Sequence, residues 1–390
     1  MSRINKLSAI LPAVAAIVII VVFAVSGHIT KSNDEKSPTA LTTVAEASAE
    51  NNTDTEGSSV ILTAVGNNII DAALIDACKT EGSYDFNSAY AKIAPEIGKA
   101  DIASINQMSV FSKDEPSGYP LYSTPVQLAD ACINAGFDVF TCATDHILDK
   151  GTSAITDHIE YIESKNAVAT GINSNENDLI TYYKKNGITF AFLNYSFSSG
   201  STSLSMDNEF YLNLFSKERI TKDVKEAKKN ADVIIAYTYW SNTATAEITE
   251  FQQKYAQLLA DLKVDLVIGY APSVLPVKEL ESKDKKHKTI VFYSLGNFMS
   301  HQIDSEELIG AMANIKFAKH GDKVEISKAR LVPIVTYYDK TDDGQYIFEV
   351  MKLTDYTKEM ATQSTQSFST PAEYEAYIEK IVPADYLSLK

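Results

Sequence analysis

The residues best suited to chemistry in this sequence fall just after its short apolar runs. The stretches are Gly66-Asn67-Asn68, Asn106-Gln107-Met108, Thr144-Asp145-His146 with Asp149-Lys150-Gly151 close behind, Tyr239-Trp240-Ser241, Gly269-Tyr270-Ala271-Pro272-Ser273 and Ser294-Leu295-Gly296-Asn297-Phe298. If each run is a strand of an open α/β sheet, these stretches share one end of it, where ligands gather. Their polar groups are mostly amides and hydroxyls. A divalent metal pair needs several carboxylates and imidazoles within reach, and only Asp145 and His146 qualify cleanly. The pattern predicts a strand-end cleft with no evident metal cage. Its candidate catalytic residues are His146 and Asp145; its other candidate members are Asn67, Asn106, Tyr239, Trp240, Ser273 and Asn297.

Each candidate has a plainer reading beside the chemical one. His146 reads as a hydrogen-bonded cleft histidine, or as a base or residual metal ligand. Asp145 beside it suggests an acid–base pair, but neighbours in sequence point apart. Asp149 with Gly151 reads as a turn and helix start. Asn297 reads as a turn-former or as a donor to an anion. Trp240, the sole tryptophan, reads as packing at the cleft floor, with ligand stacking second. His158, His287, His301 and His320 show no ligand spacing, though His301 lies just past the Asn297 stretch.

The elements that must hold these residues alternate in type. Val60 to Val65, Ile102 to Ile105, Phe137 to Ala143, Ile188 to Tyr195, Val233 to Tyr239, Val264 to Ile268 and Ile290 to Tyr293 read as strands. Between them, Phe86, Tyr90, Ile93 and Ile97 recur at helical spacing, as do Ile155, Ile159 and Ile162. Thr124-Pro125 reads as a helix start, with a hydroxyl cap and then proline, and Gly136 as its stop. Ile248, Phe251, Tyr255, Leu258, Leu259 and Leu262 mark an amphipathic helix. After Gly310 come two strands, Ala311 to Ala318 and Val324 to Val335, around a turn at His320-Gly321-Asp322, and a third from Gln345 to Lys352. Thr370-Pro371-Ala372-Glu373 opens a terminal helix as a capping box. This predicts an α/β fold of sheets covered by helices, spanning residues 59–335, with a packed extension over 336–390.

The chain has 390 residues, 45% of them hydrophobic, enough for a large core. Its net charge of -16 disfavours nucleic acid and other polyanions unless a basic patch intervenes, and the densest basic run, Lys283 to Lys288, reads as a solvated loop. Cys132 and Cys142 read as core residues; a disulfide would leave one of the three cysteines over. Leu7 to Val25 is nearly all apolar and follows Arg3 and Lys6, which predicts a signal-anchor over 7–26, with 1–6 cytoplasmic and the remainder outside. A cleaved signal peptide is the rival reading. Residues 27–58 are polar and small, the composition of a flexible extracellular tether.

Taken together, several blocks resemble the CapA family of capsule and poly-γ-glutamate synthesis proteins. They are Gly118-Tyr119-Pro120, Thr124-Pro125, Ala135-Gly136-Phe137-Asp138-Val139, Ala143-Thr144-Asp145-His146, Leu148-Asp149-Lys150-Gly151, Val267-Ile268-Gly269 and Tyr293-Ser294-Leu295-Gly296-Asn297-Phe298. The resemblance covers about residues 60 to 300 and implies a calcineurin-like metallophosphatase fold, two packed sheets flanked by helices. It also implies a metal site, from which this sequence departs. The family pattern has Asp where Asn67 stands and Glu at Met108, two residues past Asn106. It has Asn-His at Asp145-His146, His-Trp-Gly at Tyr239-Trp240-Ser241, and His-Pro-His at Ala271-Pro272-Ser273. Neutral amides and hydroxyls bind Mn, Fe or Zn far more weakly than the ligands they replace.

The expectation is therefore a membrane-anchored extracellular pseudo-enzyme with no cofactor, an accessory in surface-polymer synthesis. Its partners would be a cell-envelope polymer or the capsule-synthesis machinery, and the membrane itself. The alternative is a hydrolase or transferase acting on an envelope polymer or phosphoester through a remodelled site.

Overall fold

The computed structural model describes residues 58–175, 180–204, 211–245, 247–364, 366 and 368–389. The expected anchor and all but the last residue of the expected tether lie outside them. Among the described residues no helix is long and apolar enough to cross a membrane.

In chain order the strands are β1 (Ser59–Asn68), β2 (Lys79–Thr80), β3 (Ser83–Tyr84), β4 (Ile102–Gln107), β5 (Phe111–Ser112), β6 (Thr124–Pro125), β7 (Val139–Thr141), β8 (Val168–Thr170), β9 (Thr181–Lys185), β10 (Ile188–Ser196), β11 (Val233–Tyr239), β12 (Leu266–Tyr270), β13 (Val274–Glu281), β14 (Lys288–Leu295), β15 (Asn297–Met299), β16 (Ile309–His320), β17 (Lys323–Lys340) and β18 (Tyr346–Lys352). The helices are α1 (Ala72–Ala77), α2 (Asn87–Tyr90), α3 (Ala94–Ile97), α4 (Gln127–Asn134), α5 (Ser153–Ser164), α6 (Lys217–Asn230), α7 (Glu250–Asp261), α8 (Lys358–Gln363) and α9 (Pro371–Ile381).

Two large sheets form. The first runs β18-β17-β16-β1-β4-β7-β8, with β15 also paired to β1; the second runs β13-β14-β12-β11-β10-β9. Parallel pairing joins β1, β4, β7 and β8 in the first, and β10, β11, β12 and β14 in the second. Their carboxyl ends carry the candidate residues.

Layering follows from which side chains each face presents. In β11, Ile235, Tyr237 and Tyr239 enter the core between the sheets, while Ile234 and Ala236 enter the core on the other face. Both faces are covered, so the strand reads as one continuous apolar run. The inter-sheet core also takes Leu62, Phe190, Phe192, Phe292 and Phe317. Residues from α1 to α5 pack over the first sheet, and residues from α6 and α7 over the second. The expected architecture, two packed sheets flanked by helices, is what forms.

Several local expectations change. Thr124-Pro125 is not a helix start but β6, paired with β5, and Thr124 Oγ1 lies 2.6 Å from Ser109 Oγ. The helix beyond it begins at Gln127 with no side-chain cap. The single helix expected from Phe86 to Ile97 is two short ones, α2 and α3, the second opening around Pro95, whose ring and missing N–H suit a helix start and not its interior. No disulfide forms: Cys78, Cys132 and Cys142 are free and buried. β17 runs straight through residue 335 and β18 pairs with it, so the first sheet continues into the segment expected as an extension. The Thr370 capping box opens α9 as the sequence indicates.

Candidate functional site

The strand ends converge on a buried chain of neutral groups. Asn106 Nδ2 donates to Asn67 Oδ1 at 2.7 Å, and Asn67 Nδ2 donates to Asn297 Oδ1 at 3.1 Å. Asn297 Nδ2 in turn donates to the carbonyl of Glu307 at 3.1 Å. At the other end, Thr141 Oγ1 donates to Asn106 Oδ1 at 3.1 Å and lies 3.2 Å from the hydroxyl of Tyr270. All five side chains are buried.

The backbone makes this meeting possible. β1 pairs with β4 on one side and with β15 on the other, setting Asn67 opposite both Asn106 and Asn297. The approach requires a glycine at 66, because a Cβ there would lie 2.0 Å from the Gly296 carbonyl oxygen. Asn68 points the other way, donating to Gln107 and accepting from the Tyr90 hydroxyl.

A second group stands at the end of β7. Asp145 is buried; its Oδ2 accepts from Asn242 Nδ2 at 2.9 Å. His146 does not hydrogen-bond to Asp145, whose Oδ1 is 4.0 Å from Nε2. Its partner is Asp149, with Nδ1 and Oδ2 2.9 Å apart, and the same oxygen accepts the Tyr122 backbone N–H at 2.9 Å. A proton on Nδ1 leaves Nε2 as the free acceptor, the tautomer a base requires. Burial opposes charge on His146 most strongly, but the Asp149 hydrogen bond and the charges of Asp145 and Asp149 together raise its pKa. Tyr122 covers the ring edge-on at 4.7 Å. The Tyr239 hydroxyl is held protonated by burial first and then by the charge of Asp145. The two groups are linked through Met108: its sulfur lies 3.6 Å from Asn106 Nδ2, and its carbonyl accepts from Thr144.

Two sequence candidates sit elsewhere. Trp240 is not on the cleft floor. It follows Tyr239, so strand alternation turns it outward, where it stacks on Tyr293 at 5.7 Å above Gly269 and donates from Nε1 to the Tyr293 carbonyl. Ser273 lines a neighbouring recess of about 300 Å³ with Ala244, Asp304, Ser305, Glu306 and Glu307. Thr141, Tyr270, Asn242 and Asp149 are not among the sequence candidates. Asp149 had a readable signal, three residues past His146 in a turn; Tyr270 had one too, since Leu266, Ile268 and Tyr270 share the inward face of β12. His301 forms a separate pair with Asp71 at 2.9 Å, enclosed by Tyr338, Tyr346 and Phe348.

The bacterial capsule synthesis protein PGA_cap family model matches residues 61–302, more than half of the chain. The chain belongs to this family. Among curated relatives, the PGA biosynthesis protein CapA of Bacillus subtilis (strain 168) is 27% identical over 47% of this chain and 48% of its own. The capsule biosynthesis protein CapA of Bacillus anthracis is 27% identical over 56% of this chain and 55% of its own. The matched region therefore spans about half the length of each of these curated relatives. Among solved structures, the Haemophilus influenzae NAD nucleotidase (NadN) aligns at 12% identity and a TM-score of 0.45, over 83% of this chain and 60% of that one. The calcineurin-like phosphoesterase YfkN of Bacillus subtilis aligns at 11% and 0.35, over 83% and 99%. These scores are low, and the architecture rests on the sheets themselves.

The metal site expected from the sequence blocks raises the question of a metal pair. The donors at the strand ends do not fit one. Asn67, Asn106 and Asn297 are neutral, and their oxygens are already accepting from one another or from Thr141. Among the described residues no group of three or more His, Cys, Asp or Glu is arranged to hold a metal ion.

Proposed function

We propose that this chain is a non-catalytic accessory in the synthesis or anchoring of a surface polymer, capsule or poly-γ-glutamate, held to the membrane by residues 7–26 with its domain outside the cell. Membership of the capsule synthesis family supports the polymer. One observation carries the non-catalytic part: at Asn67, where the family resemblance calls for an aspartate ligand, a neutral amide is tied into the Thr141-Asn106-Asn67-Asn297 chain, whose polar atoms satisfy one another. A buried polar group already paired gains nothing by trading its partner for a weakly held cation.

The Asp149–His146 pair favours a second reading. An imidazole oriented by a carboxylate, with Nε2 open, has the geometry of a general base without any metal. This is the hydrolase or transferase alternative.

One experiment separates the two. Cells lacking the chain are expected to lose surface polymer, and a copy carrying His146→Ala is expected to restore it. If only the wild-type copy restores polymer while both accumulate equally, the accessory reading falls and the base is required. If deletion leaves the polymer unchanged, the polymer role itself falls.

A further inference from the structure

We infer that the recess beside Ser273 receives the guanidinium group of an arginine on a partner protein. The inference stands on the recess itself and not on the polymer role.

The recess holds about 300 Å³ between the turn after β12 and the link from β15 to β16. Its walls carry Asp304, Glu306 and Glu307. Among the described residues no Lys or Arg forms an ion pair with any of the three. Asp304 precedes the single turn Ser305–Glu307 without capping it, and Glu306 faces only the neutral Tyr377 hydroxyl. Burial first, and the charge of Asp304 second, raise the pKa of Glu307, as crowding without a counter-charge does. Ser273 is the independent observation. It is 4% exposed, it lines the recess, and its hydroxyl makes no hydrogen bond among the described residues. A hydroxyl this buried ordinarily has a partner, so one left open to a cavity is placed to accept from an occupant.

Charge and shape narrow the occupant. An anionic polymer is repelled by three carboxylates. A metal ion needs its oxygens gathered round one point, and these are spread along the wall: among the described residues no three acidic groups are arranged to hold one. An organic cation with several donors reaches acceptors that lie apart. Guanidinium carries five N–H donors in a flat fork and sheds water more readily than ammonium, which suits a half-enclosed acidic recess. The rim supplies the protein character. Ile303, next to Asp304, is 89% exposed, a large apolar side chain with nothing packed over it. An acidic recess beside an exposed isoleucine complements an arginine with an apolar neighbour, a pairing typical of protein interfaces.

The test titrates the purified full chain with short blocked peptides, acetyl-Leu-Arg amide and its citrulline and lysine counterparts, following the backbone amide signals of Ser273 and residues 303–307 by NMR. Citrulline keeps the shape of arginine and removes the charge. The arginine peptide is expected to shift these signals saturably, and to bind about tenfold more tightly than the citrulline peptide and more tightly than the lysine one. Glu307→Gln should cost about tenfold, and Ile303→Ser should weaken the peptide while leaving free argininamide unchanged. Equal binding of the arginine and citrulline peptides, or no saturable shift below about 10 mM, overturns the proposal. Lysine binding as tight as arginine overturns the guanidinium assignment. Calcium chloride that shifts the same signals and displaces the peptide makes the recess a metal site and overturns it as well. Should Glu307→Gln fail to fold, the arginine–citrulline comparison on the wild-type chain decides.

Discussion

Asn67→Asp is expected to cost about 3–5 kcal/mol of folding stability at pH 7, the range for an uncompensated buried charge. Asn67 is 1% exposed and donates to Asn297 Oδ1 while accepting from Asn106. A carboxylate keeps the acceptor and loses the donor, so one of its oxygens faces the Asn297 oxygen. Turning the Asn297 amide would relieve that contact but strand the Glu307 carbonyl it now serves. Burial raises the pKa of the introduced acid above its unfolded value of about 4. The variant should therefore approach wild type in acid and fall away as pH rises through its folded pKa. Urea unfolding across pH 4 to 8 reads this directly. A variant within about 1 kcal/mol of wild type at pH 7 would mean that position 67 tolerates charge, as a metal-ligating or solvated position does.

Acid should unfold the protein partly through His158. It is fully buried on α5, accepts the Phe111 backbone N–H on Nδ1 at 2.8 Å, stacks on the Phe111 ring, and lies 3.4 Å from Cys142 Sγ. Burial lowers its pKa to about 3, and a proton on Nδ1 would meet the Phe111 N–H. The unfolded histidine titrates near its ordinary value, so the unfolded state takes up a proton that the folded state refuses. Stability from this group is present above pH ~6.5 and is lost progressively down to pH ~3, by up to about 5 kcal/mol. Comparison with His158→Gln isolates it. Wild type should be the more stable at pH 8, with the gap closing as pH falls below about 6.5. A gap that stays constant would place the acid sensitivity elsewhere.

Much of the architecture was legible because burial and pattern agreed. Val233 to Tyr239 is buried on both faces and reads as a strand; Thr370 and Glu373 cap α9 reciprocally, as their spacing indicates. α6 was not read: its apolar stripe is only Ile220, Val224 and Ala227 in a largely charged segment. Thr124-Pro125 misleads because a hydroxyl followed by proline suits a helix start and an edge pairing equally. At the site, the strand ends and their neutral character were visible in the sequence. What it withheld was side-chain direction. Asp145 and His146 are adjacent yet unbonded, and the imidazole turns back to Asp149. Tyr239 and Trp240 are adjacent yet lie on opposite faces of one sheet. Partnership across strands, such as Asn67 with Asn297, is set by register, which residue types alone do not give.

The most direct test of the neutral strand-end site is the metal content of the purified chain, measured by mass spectrometry after incubation with Mn, Zn and Fe. Amide and hydroxyl donors already bonded to one another should retain less than about a tenth of an equivalent of any of the three. One or two tightly held equivalents would contradict that account, and would require charged ligands that the Thr141-Asn106-Asn67-Asn297 chain does not contain.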